Sequence, residues 1–580
     1  MIVDDINQVA NKTFDYIICG GGTAGTTVAA QLSEKLPNAT ILVLEAGGDN
    51  ITHPDVLNPR YGTSFTNPDL SWQGPGKTIN LDYIRGKGLG GTSTLNFMLW
   101  SLPPKEDLDD FERLGNPGWN WNRFQPHFRA LEGYNSVNER DMPFGLKVDR
   151  AVAKDGPLKL SCLSSPSKDF NLVQDSLIRT LKEINIHPAS RPYDGSPNGS
   201  LLFAHTIDPE TKQRFSAGRV FANSIRYGQG LYVLVNALVN QLNWSDEDGS
   251  LRSTGVEFEY AGRNCKVFAA REVILCCGAL RTPQILELSG IGDPNVLGKL
   301  GIPVRKSLTG VGSNLQDHTL VRLLYGRDPM ITKEDKGEDK TVVSVQIGSF
   351  INLKDVITKE FDNFITQTEH YIESERGNLE PGVSHLYDIL LDRLKRGSPG
   401  FELVLIDGRR LSKSSQTNLE SSIQATAILN HCWSRGSIHS ISTSARDQPA
   451  IAPNFFENPI DSRLYGTFLR FVRRLMNLEP LKSTAAVIGQ YVPNSELQTD
   501  EELGMWAETH AQTAWHASCS CSMLPESYNG VVDPQLKVYG TQNVRIADIS
   551  VMPIQVASHM QAIAYAIGCI AAEIVETAEQ

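Results

Sequence analysis

The stretch Phe14-Asp-Tyr-Ile-Ile-Cys-Gly20-Gly-Gly22-Thr-Ala-Gly25, with its continuation to Ile41-Leu-Val-Leu-Glu45, decides the fold. Tyr16 to Cys19 is an apolar, β-branched run of the kind that forms a buried strand. It enters Gly20-x-Gly22-x-x-Gly25, and helical periodicity follows from Thr26 to about Leu36. Pro37 and Asn38 break the helix, and Ile41 to Leu44 reads as a second buried strand. Gly20 permits the tight strand-to-helix turn. Gly22 lets backbone N–H groups approach a pyrophosphate, and Gly25 lets the helix pack closely on the strand. The helix N-terminus turns partial positive charge toward that anion. Glu45, twenty residues beyond Gly25, stands where a carboxylate accepts hydrogen bonds from a ribose diol. Strand, turn, helix, second strand and acid fall in register and predict an adenine-dinucleotide site.

A nicotinamide domain would continue in further β-α units. Here Asp49 to Thr78 is rich in Asn, Pro, Gly and aromatics, and leads into Arg85-Gly-Lys-Gly-Leu-Gly-Gly-Thr-Ser-Thr-Leu-Asn96-Phe-Met98-Leu-Trp100. An isoalloxazine ring needs such a second segment, distant in sequence, to hold it, so the pattern points to FAD.

Gly86 to Asn96 resembles the first signature of the glucose–methanol–choline (GMC) flavin oxidoreductases, and Gly278-Ala-Leu-Arg-Thr-Pro-Gln-Ile-Leu-Glu-Leu-Ser-Gly-Ile-Gly292 resembles the second. Gly115-Asn-Pro-Gly-Trp-Asn-Trp121, Val311-Gly-Ser-Asn-Leu-Gln-Asp-His318, Ile451-Ala-Pro-Asn-Phe455, Val531-Val-Asp-Pro and Val544-Arg-Ile-Ala-Asp548 are also similar to family segments, and fall in family order. The resemblance implies an α/β fold: a discontinuous Rossmann-like FAD-binding domain plus an α+β substrate domain with an antiparallel sheet backed by helices. Residues 12–318 would be mainly FAD-binding with inserted segments, 319–510 mainly substrate-binding, and 511–580 a return to the FAD domain. By the same resemblance FAD contacts fall on Gly20, Gly22, Thr23, Ala24, Gly25, Glu45, Ala46, Gly91, Thr92, Asn96, Val239, Asp548 and Met560, with the backbone near Val239 meeting the adenine.

The resemblance places two histidines across the substrate pocket from flavin N5. His516 sits in Ala514-Trp-His-Ala-Ser-Cys-Ser-Cys-Ser-Met523, and His559 in Val556-Ala-Ser-His-Met-Gln561. Oxidising an alcohol removes a hydroxyl proton and a carbon-bound hydride, and a base of near-neutral pKa suits the first task. His516 is assigned as general base and His559 as the group that orients the alcohol oxygen, with exchanged or shared roles left open. The implied reaction is FAD-dependent oxidation of an alcohol to a carbonyl, with O2 or a quinone as acceptor and an aromatic or allylic natural-product intermediate as substrate. A non-redox lyase or dehydrative cyclase using the same histidines is the alternative. Members that attach FAD covalently carry histidine where this chain has Leu95, so the FAD is expected to be non-covalent. Leu102-Pro103 replaces a common Arg-Gly, and the Cys-rich run after His516 resembles GMC enzymes of fungal secondary metabolism.

The 580 residues are 40% hydrophobic and 21% charged, ample for a sizeable core, and the net charge is −12. No basic block stands out, which argues against nucleic acid or an anionic membrane as partner. The N-terminus shows no basic n-region or apolar h-region and no run reads as a membrane span, so a cytoplasmic location is expected, a secreted form lacking its signal remaining open. The nine cysteines are scattered and odd in number, which reads as packed thiols rather than a disulfide framework, and no Cys or His spacing suggests a metal site. Oligomeric state is not readable from the chain.

Further along, helices are expected within Asp107 to Glu132, Asp169 to Ile184, Leu464 to Asn477 and Ala562 to Val575, and Asn135 to Ser161 reads as loop. Leu231 to Leu242 reads as β, Gly255 to Glu259 and Cys265 to Ala269 as a hairpin, and Glu272 to Cys277 as a separate buried strand. Val321 to Tyr325, Val342 to Phe350, Glu402 to Leu405 and Ser422 to Asn430 read as strands of the second domain. The charged stretch Ile331 to Lys340 reads as a solvated loop, with a lid as the alternative.

Overall fold

The computed structural model describes residues 1–59, 67–72, 83–135, 146, 152–162, 168–247, 250–328, 345–408, 422–493 and 496–579. The charged stretch 331–340 lies outside the described residues.

The strand Thr13–Cys19 pairs in parallel with Ile41–Leu44 on one side and with the second half of Arg263–Leu275 on the other. Leu231–Leu234 extends the sheet beyond Ile41–Leu44, and Val544–Ile546 extends it beyond Arg263–Leu275, both in parallel. Ile41, Leu42, Val43 and Leu44 are buried on both faces, as their unbroken apolar run requires in a parallel sheet. Each such side chain contributes about 1.5–3 kcal/mol through burial. The helix Thr23–Lys35 covers one face, and the helix Gln561–Glu579 packs against it. The order in which strands are added reverses at Thr13–Cys19, so the crevice at the carboxyl ends of this strand and Arg263–Leu275 is the topological switch point, where α/β sheets bind ligands.

The second sheet is antiparallel, in the order Val487–Val492, Thr319–Arg327, Ser422–Leu429, Phe401–Asp407, Ile347–Ile351, Gly199–Leu202. The helix Pro459–Met476 backs it, with Phe468 stacked on Phe401 at 4.4 Å between ring centroids. A smaller sheet joins Leu99–Trp100, Ala204–His205, Leu158–Ser161 and Glu132–Asn135.

Several local expectations are corrected. The helix after the glycine turn starts at Thr23, so Gly25 lies inside it. The hairpin arm and the following strand are one continuous strand, Arg263–Leu275, because no turn residue interrupts Ala269-Ala-Arg-Glu272; a pairing irregularity opposite Phe14/Tyr16 absorbs the change of partner. Leu231 to Leu242 divides in two at Asn236, whose φ of 56° turns the chain. Strands Glu132–Asn135 and Leu158–Ser161 stand at the ends of the segment read as loop. Helix Gln561–Glu579 is long and apolar enough by composition to cross a bilayer, contrary to the sequence reading. It is apolar nearly all round because it is a core helix: a Cβ on Gly568 would lie 2.8 Å from the Thr27 side chain. All nine cysteines are free thiols, seven of them buried.

A buried ionic cluster joins the two halves. Arg393, on helix Pro381–Arg396, donates from Nε to Asp110 Oδ2 (2.7 Å) and from Nη1 to the Gln555 carbonyl (2.6 Å). Asp107, on helix Lys105–Arg113, accepts from His431 Nε2 (2.7 Å) and from the Ala557 N–H (2.9 Å). Burial by itself would raise the Asp107 pKa, but Arg393 and His431 hold it well below the usual carboxylate range. Removing the cation strands a buried negative charge. Arg393→Leu is expected to lower the unfolding free energy by about 3–5 kcal/mol, measured by urea denaturation; a loss below about 1 kcal/mol would show the cluster to be dispensable.

Candidate active site

Two glycine loops face each other across the switch point. The turn Gly20–Gly22 is tied to the loop Gly88–Gly91 by the Gly90 N–H to Gly21 carbonyl bond (2.9 Å) and by Thr23 Oγ1 to the Gly90 carbonyl (3.3 Å). A Cβ on Gly91 would stand 2.6 Å from Gly22 Cα, and a Cβ on Gly25 would stand 1.9 Å from the Gly20 carbonyl oxygen. Gly25 thus serves the close helix–strand packing read from the sequence, while Gly22 and Gly91 form a cradle with no side chain in it. Glu45 holds the cradle together: its carboxylate accepts from Gly21 N (2.7 Å), Gly47 N (2.7 Å) and Gly88 N (2.9 Å).

The cleft over this cradle has two continuous parts that share Gly22, Gly91, Trp72 and Arg281. The smaller, about 570 Å³, is bounded by Gly20, Glu45, Ala46 and Val239. The larger, about 1460 Å³ including its open mouth, is bounded by Thr23, Ala24, Thr92 and Asn96 near the cradle and by Asp548, Met560, His516 and His559 beyond it. A two-part cleft around a glycine cradle fits FAD. On its wall Arg281 lies 4.0 Å above the Trp72 ring, with Nη1 on the Ala445 carbonyl (2.7 Å) and Nη2 buried without a partner among the described residues, a donor suited to a phosphate oxygen.

Asn96 and Asp548 are anchored rather than free. Asn96 Nδ2 donates to Gln561 Oε1 (2.9 Å), and its Oδ1 accepts from Arg214 Nη1 (2.9 Å) and the Met98 N–H (3.1 Å). Asp548 accepts from the Gly278 N–H (2.9 Å), Thr282 Oγ1 (2.7 Å) and the Ser550 N–H (2.8 Å), so it fixes the start of the second glycine-rich segment. Burial raises its pKa.

The two histidines lie edge to face, ring centroids 4.9 Å apart. His559 Nε2 is 3.0 Å from Glu402 Oε1, and its backbone N–H donates to Ser101 Oγ (3.0 Å). His516 Nδ1 is 2.9 Å from His318 Nδ1, and the His516 N–H donates to Asp317 Oδ1 (2.9 Å). Trp515 and Met98, both bounding the cavity, hold φ at 59° and 63°, left-handed conformations that side chains other than Gly adopt at a cost. Burial holds the His516 imidazole well below the ordinary histidine value, and charge on His559, His318 and Arg85 adds to the effect. Burial likewise depresses His318, and pushes the Asp317 carboxyl up to about 6. His516 is therefore neutral at pH 7, as a base must be.

Sequence reasoning brought His516, His559 and the glycine loops to one site. It missed Glu402, Arg214 and Gln561, and it quoted His318 without a role. Glu402 stands near the start of the strand Phe401–Asp407, where a charge between Phe401 and Leu403-Val-Leu was the available signal; the fold leaves it 1% exposed. Arg214, buried with its guanidinium spread over four acceptors, lies in a loop without motif.

Residues 14–320 match the N-terminal GMC oxidoreductase family model and residues 433–568 the C-terminal one, so the chain belongs to the GMC oxidoreductase family. It is an FAD-dependent oxidoreductase. It is 29% identical to the GMC oxidoreductase family protein Mala s 12 of Malassezia sympodialis over 97% of this chain and 92% of that one. Among solved structures it is similar to an FAD-dependent oxidoreductase from Chaetomium thermophilum (TM-score 0.85, 26% identity, 98% of this chain and 99% of that one). It is equally similar to a fungal aryl-alcohol oxidase (TM-score 0.85, 25% identity, 98% and 99%).

Gly25→Ala is expected to drive helix Thr23–Lys35 off the sheet and to yield protein with little bound flavin, read from the flavin-to-protein absorbance ratio. A normal ratio would contradict the packing role.

Proposed function

We propose that this enzyme oxidises a primary or secondary alcohol, aromatic or allylic in character, to the carbonyl and passes the electrons to O2, giving H2O2. The observation that carries the reading is His516: a half-buried imidazole with a depressed pKa, bounding the cavity, edge to face with a second histidine whose Nε2 is already turned to a carboxylate. His516 takes the hydroxyl proton. His559, with Nε2 engaged by Glu402, has Nδ1 left to hydrogen-bond the alcohol oxygen and hold the carbinol carbon in place. FAD, when bound, supplies the acceptor for the hydride that leaves that carbon. The pyrophosphate is assigned to the Gly20–Gly25 turn and to Gly91 and Thr92. The adenosine end is assigned to Glu45, Ala46 and Val239, and the flavin end to Asn96, Asp548 and Met560. With Leu95 in the loop, the cofactor is held without a covalent bond.

Two features support an aromatic substrate. Phe97 and Trp515 bound the cavity, their ring centroids 6.2 Å apart, beside Leu95, Leu99 and Ile451. Offset aromatic walls favour a flat ring over a polyol. The fungal aryl-alcohol oxidase among the structural neighbours agrees with this and with O2 as acceptor.

Precipitating the protein with acid should leave its flavin in the supernatant; flavin retained in the pellet would contradict non-covalent binding. Against a panel of benzylic, allylic, aliphatic and sugar alcohols, His516→Ala is expected to slow flavin reduction by about 10²–10⁴-fold while flavin content is kept. Reduction at the wild-type rate would remove His516 from the chemistry. Because the His516 pKa is depressed, its lone pair persists as pH falls through 6.5. The profile of kcat/KM should therefore be flat through neutrality and fall only below pH 6.5, where protonation removes the base. An acid limb centred at or above that value would contradict the assignment.

A further inference from the structure

We propose that His318 is a positioning residue that sets the ring tautomer of His516 and so decides which of its nitrogens bears the lone pair. The inference rests on the assignment of His516 as base for its kinetic consequence, but not for its geometry. His318 directly precedes the strand Thr319–Arg327 and is 1% exposed. Its Nε2 is 3.1 Å from the Val556 carbonyl oxygen. A backbone carbonyl can only accept, so His318 Nε2 carries the hydrogen. In a neutral imidazole the other nitrogen then holds the lone pair, and that nitrogen, Nδ1, is 2.9 Å from His516 Nδ1. Two nitrogens at this distance share one proton. Since His318 Nδ1 has none to give, His516 Nδ1 donates it. His516 Nε2 is thereby the bare nitrogen, and it has no protein partner among the described residues, on a side chain that bounds the cavity. The rings stand at 90° with centroids 4.9 Å apart, a separation that lets an in-plane N–H meet an in-plane lone pair.

Both imidazoles must be neutral for this chain to hold, and burial keeps each well below the ordinary histidine value. The chain's anchor is itself fixed. Gln555 donates from Nε2 to the His516 carbonyl (3.0 Å), and the Ala557 N–H is on Asp107, so the Val556 carbonyl sits in a segment tied on both sides. That segment also carries His559, so one carbonyl sets the tautomer of one pocket histidine next to the backbone that places the other. A free imidazole prefers the hydrogen on Nε2, the tautomer that would present the alcohol with a donor where an acceptor is needed.

The test is ¹⁵N NMR of the FAD-loaded enzyme labelled at the histidine rings, with the His516 signals identified by their loss in His516→Ala. The expected result is a protonated, pyrrole-type Nδ1 and a bare, pyridine-type Nε2 on His516. The reverse pattern in the wild type would overturn the proposal without reference to any substrate. His318→Phe keeps the bulk and removes the acceptor. It should shift the His516 signals toward the other tautomer and slow anaerobic flavin reduction by a benzylic alcohol about tenfold or more, with KM changed less than about twofold. His318→Asn places an amide oxygen near the position of Nδ1 and should restore both the NMR pattern and most of the rate, which a purely space-filling role would not explain. Unchanged signals and rate in a folded His318→Phe, or an Asn variant no better than Phe, would also overturn it. If His516→Ala itself reduces normally, the base assignment fails, and the tautomer result stands or falls on the NMR alone.

Discussion

Backbone hydrogen bonds along the strand Arg263–Leu275 hold together three parts of the chain that lie far apart in sequence: its own hairpin, the strand near the N-terminus and one near the C-terminus. One edge of its second half pairs with Thr13–Cys19 and the other with Val544–Ile546, while its first half pairs with Ser250–Tyr260. The first pairing sets the Gly20 turn against the Cys276 carbonyl, where even a Cβ on Gly20 would come within 2.5 Å. The second brings Asp548 to the Gly278 N–H and leads the chain on to His559. Without that double-edged strand neither the glycine cradle nor the histidine pair exists. These contacts close very long loops, so their entropic cost must be met by an extensive buried core rather than by local structure.

The same logic of distant anchors governs the segment 555–559. Gln316 Oε1 accepts the Gln555 N–H, Arg393 donates to the Gln555 carbonyl, Asp107 accepts from Ala557 and Ser101 from His559. A segment without regular secondary structure is thus over-determined by hydrogen bonds from both sheets' surroundings. Such anchoring lets a left-handed Trp515 and a close-packed set of imidazoles persist beside the cavity. The low dielectric that makes His318 and His516 hard to protonate keeps the His516 lone pair free at neutral pH.

What could be read from the chain beforehand was what local spacing encodes. Gly20-x-Gly22-x-x-Gly25 with Glu45 announced a strand, a turn, a helix and an acid, and each is there; even the reason for Gly25 was legible, since close packing is a property of the local turn. Glu45 shows the limit. Its place at the strand end was evident, but three backbone donors that consume most of its acceptor capacity come from residues 21, 47 and 88, and the last of these is invisible to local reading. His318 was visible as part of Asn314-Leu-Gln-Asp-His318, yet its partner stands 198 residues on. Glu402 offered only its oddity in an apolar strand, and Arg214 nothing at all. That Arg263–Leu275 runs unbroken through a change of partner was not legible, because pairing partners are not a property of local sequence.

On the proposed reading the pocket histidines serve hydride removal from an alcohol rather than acid–base chemistry alone. Anaerobic stopped-flow mixing of the holoenzyme with a benzylic alcohol and its α-deuterated form tests it most directly. The flavin is expected to bleach, several-fold more slowly with deuterium, with aldehyde formed in equal amount. Conversion of a substrate with the flavin left fully oxidised would contradict it.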